Sequence, residues 1–345
     1  MARTTLYLGT DQGALTVRSS NGSWEVESQG VKEWSVQEVA VDPSAPDRVL
    51  AATRGDGVWV SEDGGKAWKK PCYGRPGPGK TRCITFDPGD SRRVFVGGEP
   101  IEVYVSDNLG ASWERLDSVR KLPFIEKVDY PVPTVEPHVR DIAIDPQDSN
   151  TIYAALQVGG MIKSTDGGAT WTHIEKELDC DVHTIVVDAD HTNVLVIATG
   201  GHDSRSGKVK GRALYRSADG GQSWSPVAMQ FTQEYSVPLV PNPQNPHVLY
   251  SGLANGTPNN WHRPSGAEAV LIRSSDGGRN WERLDTGLPE LEREFARAIA
   301  VHPTDSNRIY AGVTGGIITS ADAGATWSRL DLKLPAINDM KCVAE

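Results

Sequence analysis

Three arginines, Arg82, Arg140 and Arg297, each stand directly before a short apolar run: CITFDP, DIAIDP and AIAVHP. Guanidiniums gathered on one rim would capture a carboxylate or phosphate through paired, charge-assisted hydrogen bonds. The same place before comparable runs is taken by Gln37, His183 and Tyr235, and before the C-terminal run by Lys341. Such a ring would focus positive potential within a chain of formal net charge −10. The competing reading is that these arginines pair with Asp141, Asp181, Glu136 or Glu294 and merely fill space. His138, His183, His202, Glu99 and Tyr235 are the candidate acid–base groups, and Trp261 and His262 join the ring residues as candidate ligand contacts. No His-x-His, His-x-x-x-His or Cys-x-x-Cys spacing occurs, so neither a metal nor another cofactor is expected. Cys72, Cys83, Cys180 and Cys342 read as free thiols, with a Cys72–Cys83 pair the alternative in an oxidising compartment.

The elements that must position these residues announce themselves as a repeat. SEDGGKAW (61–68), STDGGATW (164–171), SADGGQSW (217–224), SSDGGRNW (274–281) and SADAGATW (320–327) share S-x-D-x-G-x-x-W. SDNLGASW (106–113) is a variant and SSNGSW (19–24) a shortened copy. The box accounts for seven of the ten tryptophans, which explains why Trp outnumbers the 5 Phe. Ser and Asp side chains bond the amides of a tight turn, Gly supplies its positive φ, and the Trp ring fills the wedge between sheets.

Around each box lies a fixed order: an apolar run ending in Asp-Pro or His-Pro, a polar turn, a β-rich run such as RVLAAT or TIYAAL, a Gly turn, a third run, then the box. Four short strands per repeat predict an all-β fold, a single seven-bladed β-propeller of four antiparallel strands per blade. The chain opens on a second-strand run, TLYLGT (5–10), and ends on MKCVAE (340–345), which reads as a first strand. The C-terminal strand is therefore expected to complete blade one and close the ring, making residues 1–345 one domain.

The S-x-D-x-G-x-x-W copies resemble the Asp-box, or BNR, repeat of sialidase-like propellers. That repeat also occurs in xyloglucanase-type glycoside hydrolases, sortilin-type receptors and photosystem II assembly-factor propellers. The resemblance covers nearly the whole chain and implies the fold; its box lies away from the ligand face, so it says little about function. Sialidases carry an Arg-Ile-Pro segment that is absent here, and they have six blades. Xyloglucanase-type enzymes face two propellers across a cleft, and one is present. The single ring therefore resembles the assembly-factor propellers more than the enzymes.

Three insertions, 117–139, 202–212 and 255–269, fall on one expected face, in blades four, five and six. Loops on a rigid scaffold carry function disproportionately. The first expectation is a ligand- or protein-binding propeller that uses this face and the basic mouth to hold an anionic group or a protein partner. The alternative is a glycoside hydrolase-like or lyase enzyme acting on an anionic or carbohydrate-like small molecule at the same face. The acidic charge argues against nucleic acid. No apolar run approaches a membrane span, and the N-terminal residues show no secretory h-region, so a cytoplasmic monomer without membrane insertion is expected.

Overall fold

The box turns do what their residue types dictate. Ser164 Oγ accepts the Gly168 amide at 2.8 Å and donates to Asp166 Oδ1 at 2.8 Å, and Asp166 Oδ1 accepts the Thr170 amide at 2.8 Å. The Trp171 indole then donates to the Gly168 carbonyl at 3.1 Å. Gly168 sits at φ 94°, and a Cβ there would lie 2.6 Å from Leu116 of the preceding blade. The same Ser–Gly amide bond recurs at Ser61, Ser106, Ser217, Ser274 and Ser320.

In this computed structural model all residues are described except 1, 2, 21, 72–76, 130, 131, 133, 286, 288–292, 294 and 345. Seven antiparallel sheets surround a central channel, and each inner strand touches the inner strands of both neighbouring blades. The contacts run through all seven and return to the first, so the ring is closed. Six sheets have four strands; in blade two three strands are joined by a Val60–Lys69 bridge in the fourth place. The inner strands are Ile337–Ala344, Val36–Val41, Thr81–Phe86, Val139–Asp145, Val182–Val187, Tyr235–Asn242 and Ala298–His302, for blades one to seven.

Ile337–Ala344 pairs with Thr4–Thr10, so the C-terminal strand completes blade one. The core lies between blades rather than at one centre. Trp171 packs with Phe95 and Val103 of blade three and Ile142 and Ile152 of blade four. Trp281 packs against Val196 of blade five and Leu249 of blade six. Cys83, Cys180 and Cys342 are free thiols, and Cys72 lies outside the described residues.

Candidate functional site

Six of the seven inner strands, those of blades one to six, carry an irregularity near their channel-mouth end; in blade seven Arg297 stands just before the strand. Val36 pairs with Thr53 and Glu38 with Ala52, which leaves Gln37 extruded. Arg82, Arg140 and His183 are skipped in the same way in blades three, four and five. A bulge re-aims one side chain out of the ladder, here into the channel mouth, where a cavity of about 530 Å³ opens. Gln37, Arg82, Arg140, His183 and Arg297 all line it.

Two members of the expected ring are corrected by register. In blade one the skipped residue is Asn338, between Ile337 and Asp339; Lys341 pairs with Tyr7, three residues deeper. In blade six the ladder jumps from Ser236 to Leu239, so Val237 takes the ring place and Tyr235 lies above it. The cause is visible in each strand: prolines break the alternation of YSVPLVPN, and the closing strand lacks the terminal Asp-Pro or His-Pro that ends the runs of blades two, three, four and seven. Lys341 and Tyr235 still line the cavity, as do Trp261 and His138. Glu99, His202 and His262 do not line it.

The arginines divide in their chemistry. Arg82 Nε donates to Glu99 Oε2 at 2.7 Å, a second guanidinium nitrogen bonds the same oxygen, and Nη1 reaches Gln37 Oε1 at 3.2 Å. Burial brings this guanidinium down to about 10 against the pull of Glu99. Burial raises the Glu99 carboxyl, but Arg82 and Lys80 outweigh it and hold Glu99 below the usual range. Glu99 is thus a buried counter-ion. Arg54, Arg140 and Arg297 also line the mouth, and among the described residues their guanidiniums have no hydrogen-bond or ion-pair partner. Arg82 pairs with Glu99 rather than with the expected Asp141, Asp181 or Glu136, which make no ion pair with these arginines among the described residues, and Glu294 lies outside the described residues.

Both mouth histidines are held by backbone carbonyls. His138 Nδ1 lies 2.9 Å from the Glu136 carbonyl, and burial, then Arg82, pushes its pKa well below the usual value, so the ring is neutral. His183 Nδ1 lies 2.6 Å from the Ser236 carbonyl, with Nε2 3.3 Å from Asp181 Oδ1. An aromatic wall stands beside them. Tyr235, Trp261 and Phe295 meet at centroid separations of 5.3, 5.7 and 4.8 Å, and the Trp261 indole is fixed by the Asn255 carbonyl at 2.8 Å. The insertions 117–139 and 255–269 contribute Val132, Val135, His138, Pro258 and Trp261, whereas 202–212 contributes nothing to the lining.

Below the mouth lies a charge cluster in which Lys341 and Asp141 are joined by two carboxylates the sequence did not single out, Glu38 and Asp339. Lys341 Nζ donates to Glu38 Oε1 at 3.2 Å and to Asp339 Oδ1 at 3.0 Å. Glu38, Asp141 and Asp339 each also accept an inner-strand amide of the next blade, from Ile84, Ile185 and Val39. Burial raises the Glu38 carboxyl to about 7 despite Lys341, with Asp339 and Asp141 adding repulsion. Burial likewise raises Asp141. Because the Glu38 side chain keeps 22% of its surface open to the channel, its desolvation is that of a narrow wet pore, and protons can reach it.

No family model matches the chain. It is 26% identical over 341 residues to a xyloglucanase of Paenibacillus sp., covering 86% of this chain and 32% of that protein. The chain thus spans about a third of that relative's length. Among solved structures, the GH74 xyloglucanase of Xanthomonas campestris superposes with a TM-score of 0.70 at 18% identity, over 95% of this chain and 52% of that one. YCF48 bound to a D1 peptide superposes with a TM-score of 0.58 at 13% identity, over 90% and 87%. The seven-bladed fold is common to both. The expectation that the chain stands nearer the assembly-factor propellers than the xyloglucanases is overturned by the first two likenesses; its single ring corresponds to about half of the enzyme structure.

Proposed function

We propose that the chain is a carbohydrate-processing propeller of the glycoside hydrolase type, whose channel-mouth cavity accepts a sugar bearing an anionic substituent. One observation carries the reading: a single cavity joins an aromatic wall, guanidiniums without a hydrogen-bond or ion-pair partner among the described residues, and a carboxyl raised to about 7. The xyloglucanase relatives support the carbohydrate part. The apolar face of a pyranose would lie against Tyr235 and Trp261, and a ring carboxylate would bridge Arg140 and Arg297.

Glycoside hydrolysis needs a carboxylic acid to protonate the leaving oxygen and a second carboxylate to act on the sugar's opposite face. Glu38, whose raised carboxyl keeps its proton up to near-neutral pH, takes the acid role, and Asp141 or Asp339 the second. The two raised carboxyls repel one another, so they titrate as a pair.

A binding role without turnover is the second reading. It is favoured by the backbone bonds that occupy Glu38, Asp141 and Asp339, and by the peptide held by the YCF48 neighbour. Incubation with xyloglucan oligosaccharides and with uronic-acid-containing oligosaccharides, read by reducing-end release, separates the two. Release that prefers the acidic sugars and disappears in Glu38→Gln supports the hydrolase. Saturable binding of acidic sugars or peptides with no release supports the binding role.

A further inference from the structure

At the opposite end of the blade-five inner strand from His183, the turn Asp188-Ala189-Asp190-His191 meets His247 of blade six. His247 Nδ1 lies 2.9 Å from Asp188 Oδ2, and its Nε2 lies 3.5 Å from Asp190 Oδ2. His191 Nδ1 is 3.7 Å from Asp188 Oδ1, and the two imidazole centroids are 5.5 Å apart. One donor atom from each of Asp188, His191 and His247 lies within 4.8 Å of the other two. A tetrahedral zinc with bonds of about 2.0–2.1 Å holds its donors roughly 3.3 Å apart, so small side-chain rotations suffice.

The repeat shows that this grouping is a departure and not blade grammar. The position of His247, whose carbonyl accepts the Gly277 amide of the box turn, is Asp47, Arg92, Asn150, Asn193 or Asn307 in other blades. The carboxylate equivalent to Asp188 is spent on Ser149 at Asp87, 2.6 Å away, and on Arg48 at Asp42, 2.7 Å away. Two of the eight histidines therefore meet at one blade junction, on opposite sides of one buried carboxylate.

We propose that Asp188, His191 and His247 form a site for one divalent borderline metal ion, zinc by preference, that staples blade five to blade six. Two imidazoles and a carboxylate suit zinc, nickel or copper and disfavour magnesium and calcium, which take all-oxygen sets. The Asp188 carboxylate is nearly closed to solvent, with 7% side-chain exposure, and is positioned by the Asp190 and His191 amides at 3.0 and 2.9 Å. His191, 66% exposed, leaves an entry path and is free to swing. A second grouping, Cys180, His202 and Asp203, is the competitor, but Lys208 Nζ already neutralises Asp203 at 3.0 Å.

The test uses the full chain after treatment with a chelator, titrated with Zn²⁺, Mg²⁺ and Co²⁺. The expected result is one equivalent of Zn²⁺ bound and none of Mg²⁺. At about a hundredfold excess over Kd, Tm should rise by about 3–4 °C. Bound Co²⁺ should show ligand-field bands without a thiolate charge-transfer band. His191→Gln, at an exposed position that leaves folding intact, and His247→Gln should each weaken Zn²⁺ at least tenfold, while His202→Gln changes nothing. Affinity unchanged in both histidine variants, or a thiolate band with Co²⁺, places the metal at Cys180 and overturns the proposal. So does the absence of any Zn²⁺-dependent shift, which would leave only an inter-blade ion pair.

Discussion

Arg82 and Arg140 occupy the same bulge in adjacent blades, yet their neighbours give them opposite duties. Arg140→Ala or Arg297→Ala removes a guanidinium with no hydrogen-bond or ion-pair partner among the described residues, so stability should change little. Each should weaken an anionic ligand by roughly ten- to a hundredfold, the worth of one charge-assisted bond, measurable by calorimetry with galacturonate. Arg82→Ala instead strands Glu99, whose side chain is 2% exposed, and should cost about 3–5 kcal/mol of stability in denaturant unfolding. Equal Tm losses in all three variants would refute this division. Glu38 sets a pH dependence. Its folded pKa, about 7, lies above the 4.5 of a free glutamate, so between these values the native state holds a proton the unfolded chain has lost. Stability from this group is full below about pH 4.5 and is lost as pH rises through about 7. Wild type should therefore lose stability relative to Glu38→Gln between pH 5 and pH 8 in thermal unfolding, and parallel curves would contradict it. The sequence showed Arg82, Arg140 and Arg297 because each precedes an apolar run closed by Asp-Pro or His-Pro. It hid Glu38 and Asp339, and showed Asp141 only as a partner for the arginines, because carboxylates inside such runs look like surface alternation, and only the channel makes that face an interior.

At the scale of elements, the box turn was readable in sequence down to its hydrogen bonds, since Ser, Asp and Gly have few other reasons to recur at that spacing. Its tryptophan closes the wedge between blades. Trp281→Ala should cost about 3–5 kcal/mol through the cavity it leaves, since Trp281 is 5% exposed and touches both blades five and six. Urea unfolding measures this, and a cost below about 1 kcal/mol would mean the wedge collapses without it. The box carboxylates make the turns acid-sensitive. The Thr170 and Ser223 side chains and amides hold Asp166 and Asp219 down at about 2, so their support is present at neutral pH and lost as pH falls from about 4 to 2. Strand register was less legible than strand identity. A bulge is a one-residue decision that shifts every side chain after it to the other face; the prolines of YSVPLVPN and the unusual end of the closing strand mark these two strands as irregular without fixing the residue at which the ladder skips. The long insertions were legible as a group, but only 117–139 and 255–269 reach the mouth, because 202–212 folds back on its own blade through Asp179, which accepts the His202 and Ser204 amides.

For the whole molecule, the ring exists only if its last strand returns to its first. Without residues 337–345 the Thr4–Thr10 strand, buried at every position, would expose a free hydrogen-bonding edge. The shortened chain should self-associate, giving high-mass species by light scattering where the full chain does not; a monodisperse product of unchanged mass per particle would sink this expectation. The closing pair also decides how the molecule bears load. Thr4 is paired with Ala344 at the open end of an antiparallel ladder. A pull applied to the two ends therefore peels that ladder one bond at a time, like a zip, and never loads its bonds together in shear. Under tension the propeller should open first at blade one, with an extension of about 27 Å as the eight residues of the closing strand come free. A single-molecule trace whose first step is the length of a whole blade would show a stronger seam. The six remaining blades are each built from one continuous stretch of chain and have no such seam, so the ring is weakest where anything grips both of its ends.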